Sequence, residues 1–382
     1  IYSDCCALLR PFFETANDVV IMTGSGTVGM DAAVASTIGH DDKIVTISNG
    51  KFGERFAEIG ERYGQVVPVK FDWGTPFDLE KVEAAVEGGA KAVAMVHNET
   101  SVGLTNPAKE VGEIARKHDA LFIVDGISSI GGNEFQTDKW GIDIAITGSQ
   151  KALAVPPGLA VVSVSPRAEE RFLSKSGSYY ADLKAHLKSA RKSQAQTPFT
   201  PAVSLFFALQ EALHMAEDEG FAVRRARTAQ QAESVREAAK ALGINAIRID
   251  VVSRKLPPEK LLPLAIDSLK KVLAATQSTG VSFGVENHGG TTNRPEFTRK
   301  LFEGVGSKRF GLTLDTGNFY WFGHPLSKLY EIFEAFASRV FHTHCKNIHY
   351  PVDRQNTRRP MGWEYSKYNC PINEGDIDFK KV

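Results

Sequence analysis

From residue 18 to residue 163 the chain alternates short, mostly apolar runs with segments of helical spacing, which leaves few folds open to it. The runs 18–22, 43–48, 66–71, 90–97 and 120–124 predict buried strands. Residues 30–37 and 53–63 predict helices, the second with Glu and Arg outward. Two more strands, 143–147 and 159–163, follow each other without room for a helix. Strands apolar on both faces and separated by helices imply a mostly parallel sheet covered on both sides. From 201 to 242 the pattern is wholly helical.

At about Gly243 the texture changes. The runs 246–252, 281–286, 310–315 and 340–344 predict strands that each end on or near a polar group, with helices over 258–276, 294–305 and 325–336. Glu286 to Asp315 is 29 residues, and Asp315 to His344 is again 29. A repeat of that length is one βα unit, and polar groups at the carboxyl ends of successive strands mark the active face of a (β/α) barrel. A whole barrel needs eight strands, so a second, partial domain is expected over 245–382, with open sheet edges. The chain opens on Ile1 rather than Met and is expected to be a fragment.

Composition narrows the function classes. Of 382 residues, 42% are hydrophobic and 24% charged, and Lys+Arg and Asp+Glu are both 45. That balance gives no general attraction to nucleic acid or to an acidic membrane. No apolar stretch reaches the roughly 18 residues of a membrane span, and the start is not a signal peptide. Four cysteines without metal-ligand spacing suit a reducing cytoplasm.

Gly24-Ser25-Gly26-Thr27-Val28-Gly29 follows a strand and opens a helix, matching GxGxxG. The acid that a dinucleotide site needs about 20 residues on is absent, and Ser48-Asn49-Gly50 stands there instead. What remains is a helix N-terminus with small residues, suited to one phosphate. Asp125 ends a buried strand, Lys151 follows another among small and apolar neighbours, and His97-Asn98-Glu99-Thr100-Ser101 ends a third. A buried lysine can form a Schiff base with an aldehyde cofactor, and a buried carboxylate can keep a pyridine nitrogen protonated.

Residues 1–244 resemble the class V (fold type I) pyridoxal-phosphate aminotransferases, especially the serine–glyoxylate and alanine–glyoxylate group. The likeness lies in MTGSGTVGMDAAVAS, SNGKFGERF, HNETSVGL, VDGISSIGG, WGIDIAITGSQKAL, PPGLA and TPFTPAVSLFFAL, in family order and spacing. It implies an α/β PLP-transferase large domain and a transaminase passing nitrogen from a small amino acid to a 2-oxo acid such as glyoxylate or pyruvate. Lys151 is then the Schiff-base lysine and proton shuttle, and Asp125 the partner of the pyridine nitrogen. Ser25, Gly26 and Thr27 hold the phosphate, Gln150 assists beside the lysine, Phe52 stacks on the ring and Thr100 places a hydroxyl near it. Thr200 reaches a phosphate in the neighbouring subunit, implying a homodimer. Gln150 departs from the cysteine desulfurases, which carry His there. The family's N-terminal segment and its small C-terminal domain, with the Arg that clamps the substrate carboxylate, are missing from this pattern.

From Asn245 on, the chain resembles the xylose-isomerase-like barrels, through Gly284-Val285-Glu286-Asn287-His288, LTLDTGNF, FHTHCKN and Glu374-Gly375-Asp376-Ile377-Asp378. The resemblance implies that Glu286, Asp315 and His344 ligate Mn²⁺ or Mg²⁺, with the family's fourth ligand, a Glu, expected beyond Val382. Two other functions stay open beside the transaminase. One is a metal-dependent sugar isomerase or epimerase acting through the barrel. The other is a chimeric or fragmentary protein that binds pyridoxal phosphate without turnover.

Overall fold

Along a strand, successive side chains face opposite sides, so a run that is apolar throughout must be covered twice. The computed structural model describes residues 1–241, 246–252, 256–277 and 280–382, which form two compact units, Ile1–Ser234 and Val235–Val382. The boundary expected at 243–245 lies outside the described residues.

In the first unit α1 (Tyr2–Phe13) precedes β1 (Asp18–Thr23), α2 (Gly26–Thr37), β2 (Lys43–Ser48), α3 (Lys51–Gly60), β3 (Gln65–Lys70), α4 (Leu79–Glu87) and β4 (Ala92–Val96). A short hairpin, β5 (Asn98–Glu99) and β6 (Leu104–Thr105), leads to α5 (Ala108–Lys117), β7 (Leu121–Asp125), β8 (Ile144–Gly148) and β9 (Leu159–Val164). Three helices follow, α6 (Pro166–Glu170), α7 (Leu183–Ala190) and α8 (Val203–Glu219), and then α9 (Phe221–Ala241), whose residues after Ser234 belong to the second unit. The sheet runs β1-β9-β8-β7-β4-β2-β3, and β9 alone is antiparallel to its neighbours.

Alternation sorts the strand residues between two cores. Ile21, Val45, Val93, Phe122, Val124 and Val161 pack with α1, α4, α5 and α8. Val20, Ile44, Ala94, Ile123, Ile146 and Val162 pack with α2, α3 and α7 on the other face. One expectation needs correction: β3 is not buried. It is the sheet's last strand, with β2 its only strand neighbour among the described residues, and its side chains are half-buried or exposed. Helix α1 was not foreseen. It buries Cys5, Leu9, Phe12 and Phe13, a helical spacing that the Pro at position 11 obscures in the sequence.

The second unit alternates β10 (Ala246–Ile249), α10 (Pro258–Ala275), β11 (Ser282–Glu286), α11 (Pro295–Val305), β12 (Phe310–Asp315), α12 (Thr316–Trp321), α13 (Leu326–Phe336) and β13 (Val340–His344). These four strands form one parallel sheet in chain order. Its inner strands are buried and its edges, β10 and β13, are partly exposed. The irregular residues after β13 are tied down by a buried Arg359. Its guanidinium lies 4.5 Å and 4.2 Å from the ring centres of Tyr320 and Tyr350 and donates to the backbone oxygens of Tyr320 and His324. Such a cation is tolerated inside because both its terminal amino groups find acceptors and it lies against two aromatic faces, although its Nε has no partner among the described residues. Among the described residues no helix is long and apolar enough to cross a membrane.

Candidate active site

Because β1, β2, β4, β7 and β8 point the same way, the loops after their carboxyl ends meet at one edge of the sheet, where open α/β sheets place ligands. A cavity of about 160 Å³ opens there. It is lined by Ser25, Gly26 and Thr27 after β1, Phe52 and Arg55 after β2, Asn98 and Thr100 after β4, Asp125 and Ser128 from β7 on, and Gln150 and Lys151 after β8.

At one end lies the start of α2. Gly24 turns the chain with φ of 147°, a conformation that side chains rarely adopt, and its N–H donates to the Gly158 oxygen at 2.8 Å. Gly29 lets the helix lie close to the sheet, since a Cβ there would sit 2.7 Å from the Ile146 side chain. The Ser25 hydroxyl makes no capping bond. The first N–H groups of α2 have no acceptor within the helix, so this end carries donors and partial positive charge for an anion.

At the floor, Asp125 is buried at the end of β7 and accepts from the Ile127 N–H at 2.8 Å. Burial pushes its acid up to about 7, against the opposing pull of that N–H and of the Arg55 and Lys151 charges. A cation against this carboxylate would relieve the cost. Lys151 follows its strand as expected but departs from the expected burial: it stands exposed at the lip, in the turn after β8. An acceptor-rich floor, an amine at the lip and a phosphate-sized donor set at one end fit pyridoxal phosphate.

The segment after β4 divides its labour. His97 packs edge-on against Phe135 and Trp140, where burial pushes its imidazole down to about 4 and keeps it neutral. Thr100 lines the cavity, its hydroxyl 2.5 Å from that of Ser128. Glu99, wholly buried, caps α3 instead: its carboxylate accepts from the N–H groups of Phe52 at 3.1 Å and Gly53 at 2.9 Å, and from the Ser101 hydroxyl at 2.6 Å. Gly50 makes room, because a Cβ there would lie 2.4 Å from Glu99 Cγ. Glu99→Gln puts an amide donor against N–H donors. It is expected to cost about 1–3 kcal/mol in urea unfolding and to loosen Phe52 at the cavity wall; an unchanged midpoint would contradict this.

Thr200 is the site residue that the cavity does not include. It is exposed and lines a separate groove of about 730 Å³ with Ile1, Tyr2, Phe199 and Phe207. Arg55, Glu99 and Ser128 were missed from the sequence. Arg55 could have been found, since it lies three residues after Phe52 and therefore on the same face of a helix.

The second unit brings its three expected ligands together. Donor atoms of Glu286, Asp315 and His344 all lie within 4.8 Å of one another at the carboxyl ends of β11, β12 and β13. His344 Nδ1 is 3.3 Å from Glu286 Oε1, and Asp315 accepts from the Gly317 and Asn318 N–H groups at 3.0 Å. Two protein cations share these carboxylates: Lys346 Nζ lies 2.7 Å from Asp315, and Arg248 pairs with Glu286. Burial raises the Asp315 acid, with the Lys346 ammonium opposing.

Comparison with known proteins gives this geometry a family. The class-V aminotransferase model matches residues 1–257, and the xylose isomerase-like TIM barrel model matches residues 159–382. The chain is 41% identical to an uncharacterized aminotransferase of Methanocaldococcus jannaschii over 67% of this chain and 69% of that protein. It is 33% identical to a serine–glyoxylate aminotransferase of Arabidopsis thaliana, over 72% of this chain and 70% of that one. The crystal structure of an alanine–glyoxylate aminotransferase from Nostoc sp. superposes with a TM-score of 0.61 at 26% identity, covering 80% of this chain and 85% of the other. The chain spans between 62% and 73% of the length of the curated relatives it matches. It therefore belongs to the class-V aminotransferases, a pyridoxal-phosphate family, and its C-terminal part to the xylose isomerase-like TIM barrels.

Proposed function

We propose that the cavity at the carboxyl edge of the large sheet holds pyridoxal phosphate and that the protein transfers an amino group from a small amino acid, serine or alanine in kind, to a 2-oxo acid such as glyoxylate or pyruvate. The observation that carries this is the meeting of a buried Asp125, the Lys151 amine and the open start of α2 around one cavity. When bound, the cofactor supplies an electron sink for a substrate carbanion. Ser25, Gly26 and Thr27 hold its phosphate, and Phe52 lies along the ring. Asp125 holds the ring nitrogen's proton, Gln150 and Thr100 orient the aromatic substituents, and Lys151 carries the proton at the substrate's Cα.

Thr200 belongs to a site in a second copy, so the working form is a homodimer in the cytoplasm. Its exposure away from its own chain's cavity supports that reading. The test is an absorbance titration with pyridoxal phosphate followed by a serine or alanine plus glyoxylate assay. Absence of a covalent chromophore would refute it.

The close grouping of Glu286, Asp315 and His344 favours a second, separate property, the binding of Mn²⁺ or Mg²⁺ through two carboxylates and one imidazole. Binding is expected to be weak and without sugar isomerisation, since Lys346 and Arg248 already meet the carboxylate charge. Titration with Mn²⁺ checks this, and Lys346→Met should tighten it. Tight binding in the unsubstituted protein, with isomerised sugar, would show the barrel site to be the active one.

A further inference from the structure

We propose, building on the reading of the cavity as a pyridoxal-phosphate site, that Arg55 is a positioning residue that turns the Thr27 hydroxyl toward the cofactor's phosphate. Arg55 lines the cavity, and its Nη1 lies 3.1 Å from Thr27 Oγ1. A guanidinium offers donors only, so the Thr27 oxygen is the acceptor and the hydroxyl's own proton must point elsewhere. Thr27 lies in the first turn of α2, beside the Ser25–Gly26 backbone, and its proton joins the donors already gathered there. Accepting from a cation also makes the hydroxyl a better donor to an anion.

The guanidinium is itself held. Its centre lies 4.9 Å from the Phe52 ring centre, one turn earlier on α3, and Glu99 fixes the start of that helix. Packing and hydrogen bonds therefore set the Thr27 hydroxyl before any ligand arrives, which lowers the ordering cost of binding. Arg55 thus acts on the phosphate through Thr27.

Dissociation constants of pyridoxal phosphate and of pyridoxal, which lacks the phosphate, test this on cofactor-free protein. Arg55→Leu and Thr27→Val are each expected to weaken pyridoxal phosphate roughly 10- to 100-fold and pyridoxal by less than about twofold. The double variant should be no weaker than either single one, because both break one route. Arg55→Lys keeps charge and bulk without the planar fork, and should show the same selective loss in a chain that folds normally.

Equal losses for the two ligands would overturn the proposal, as would additive losses in the double variant or full affinity in Arg55→Lys. If the unsubstituted protein bound neither ligand, the cofactor reading itself would fall, an outcome visible without any variant.

Discussion

Replacing Lys151 by Ala is expected to abolish transamination and to leave no cofactor attached to the chain after borohydride reduction. Among the described residues Lys151 is the one lysine lining the cavity, and the amine placed there to form the bond and carry the proton at Cα. A positioned proton carrier alone contributes roughly 100- to 10,000-fold, and loss of covalent attachment adds to that. The fold should not change. Lys151 is exposed in a turn, where substitutions usually alter stability by about 0.5 kcal/mol or less. An unaltered melting temperature with activity gone would separate a chemical defect from an unfolded one. A reduced, cofactor-labelled peptide recovered from the Ala variant would sink the assignment.

Much of this arrangement was legible in the sequence because burial on both faces leaves an unmistakable apolar run. The run 43–48 coincides with β2, and 310–315 with β12. Asp125, Lys151 and the Ser25–Thr27 loop share an edge because parallel strands must bring their carboxyl ends together. What escaped depends on order across the sheet rather than on local pattern. Val66 and Val69 look like core residues, yet β3 lies at the end of the strand order and its run is not covered on both faces. Glu99 reads only as part of a polar strand end, because its partners are N–H groups of Phe52 and Gly53, 47 and 46 residues earlier in the chain. Lys151 is misleading for a different reason: Ala152 and Leu153 after it suggest burial, but a turn lifts it past the covered end of β8.

Asp125→Asn is expected to slow the amino-donor half-reaction roughly 100- to 1000-fold, the scale of removing one preorganised electrostatic group. The neutral amide cannot hold a proton on the ring nitrogen, so the electron sink weakens while most cofactor contacts persist. The same substitution has an opposite effect on the cofactor-free protein, and its sign follows from the burial of Asp125. The folded-state acid is pushed up to about 7, whereas in an unfolded chain it is about 3.9. Above pH 7 both states are ionised and the folded one carries the cost of a buried charge. As pH falls from about 7 to about 4, the folded state takes up a proton that the unfolded state does not, so its stability rises. Cofactor-free Asp125→Asn should therefore be the more stable protein at pH 8, by up to a few kcal/mol, and the gap should close by about pH 4. Adding pyridoxal phosphate should reverse the order at pH 8, because a protonated ring nitrogen against the carboxylate removes the cost in the unsubstituted protein alone. Urea unfolding at several pH values, with and without cofactor, measures all of this. Parallel pH profiles for the two proteins would show that Asp125 is not the buried, cation-seeking carboxylate on which the site depends.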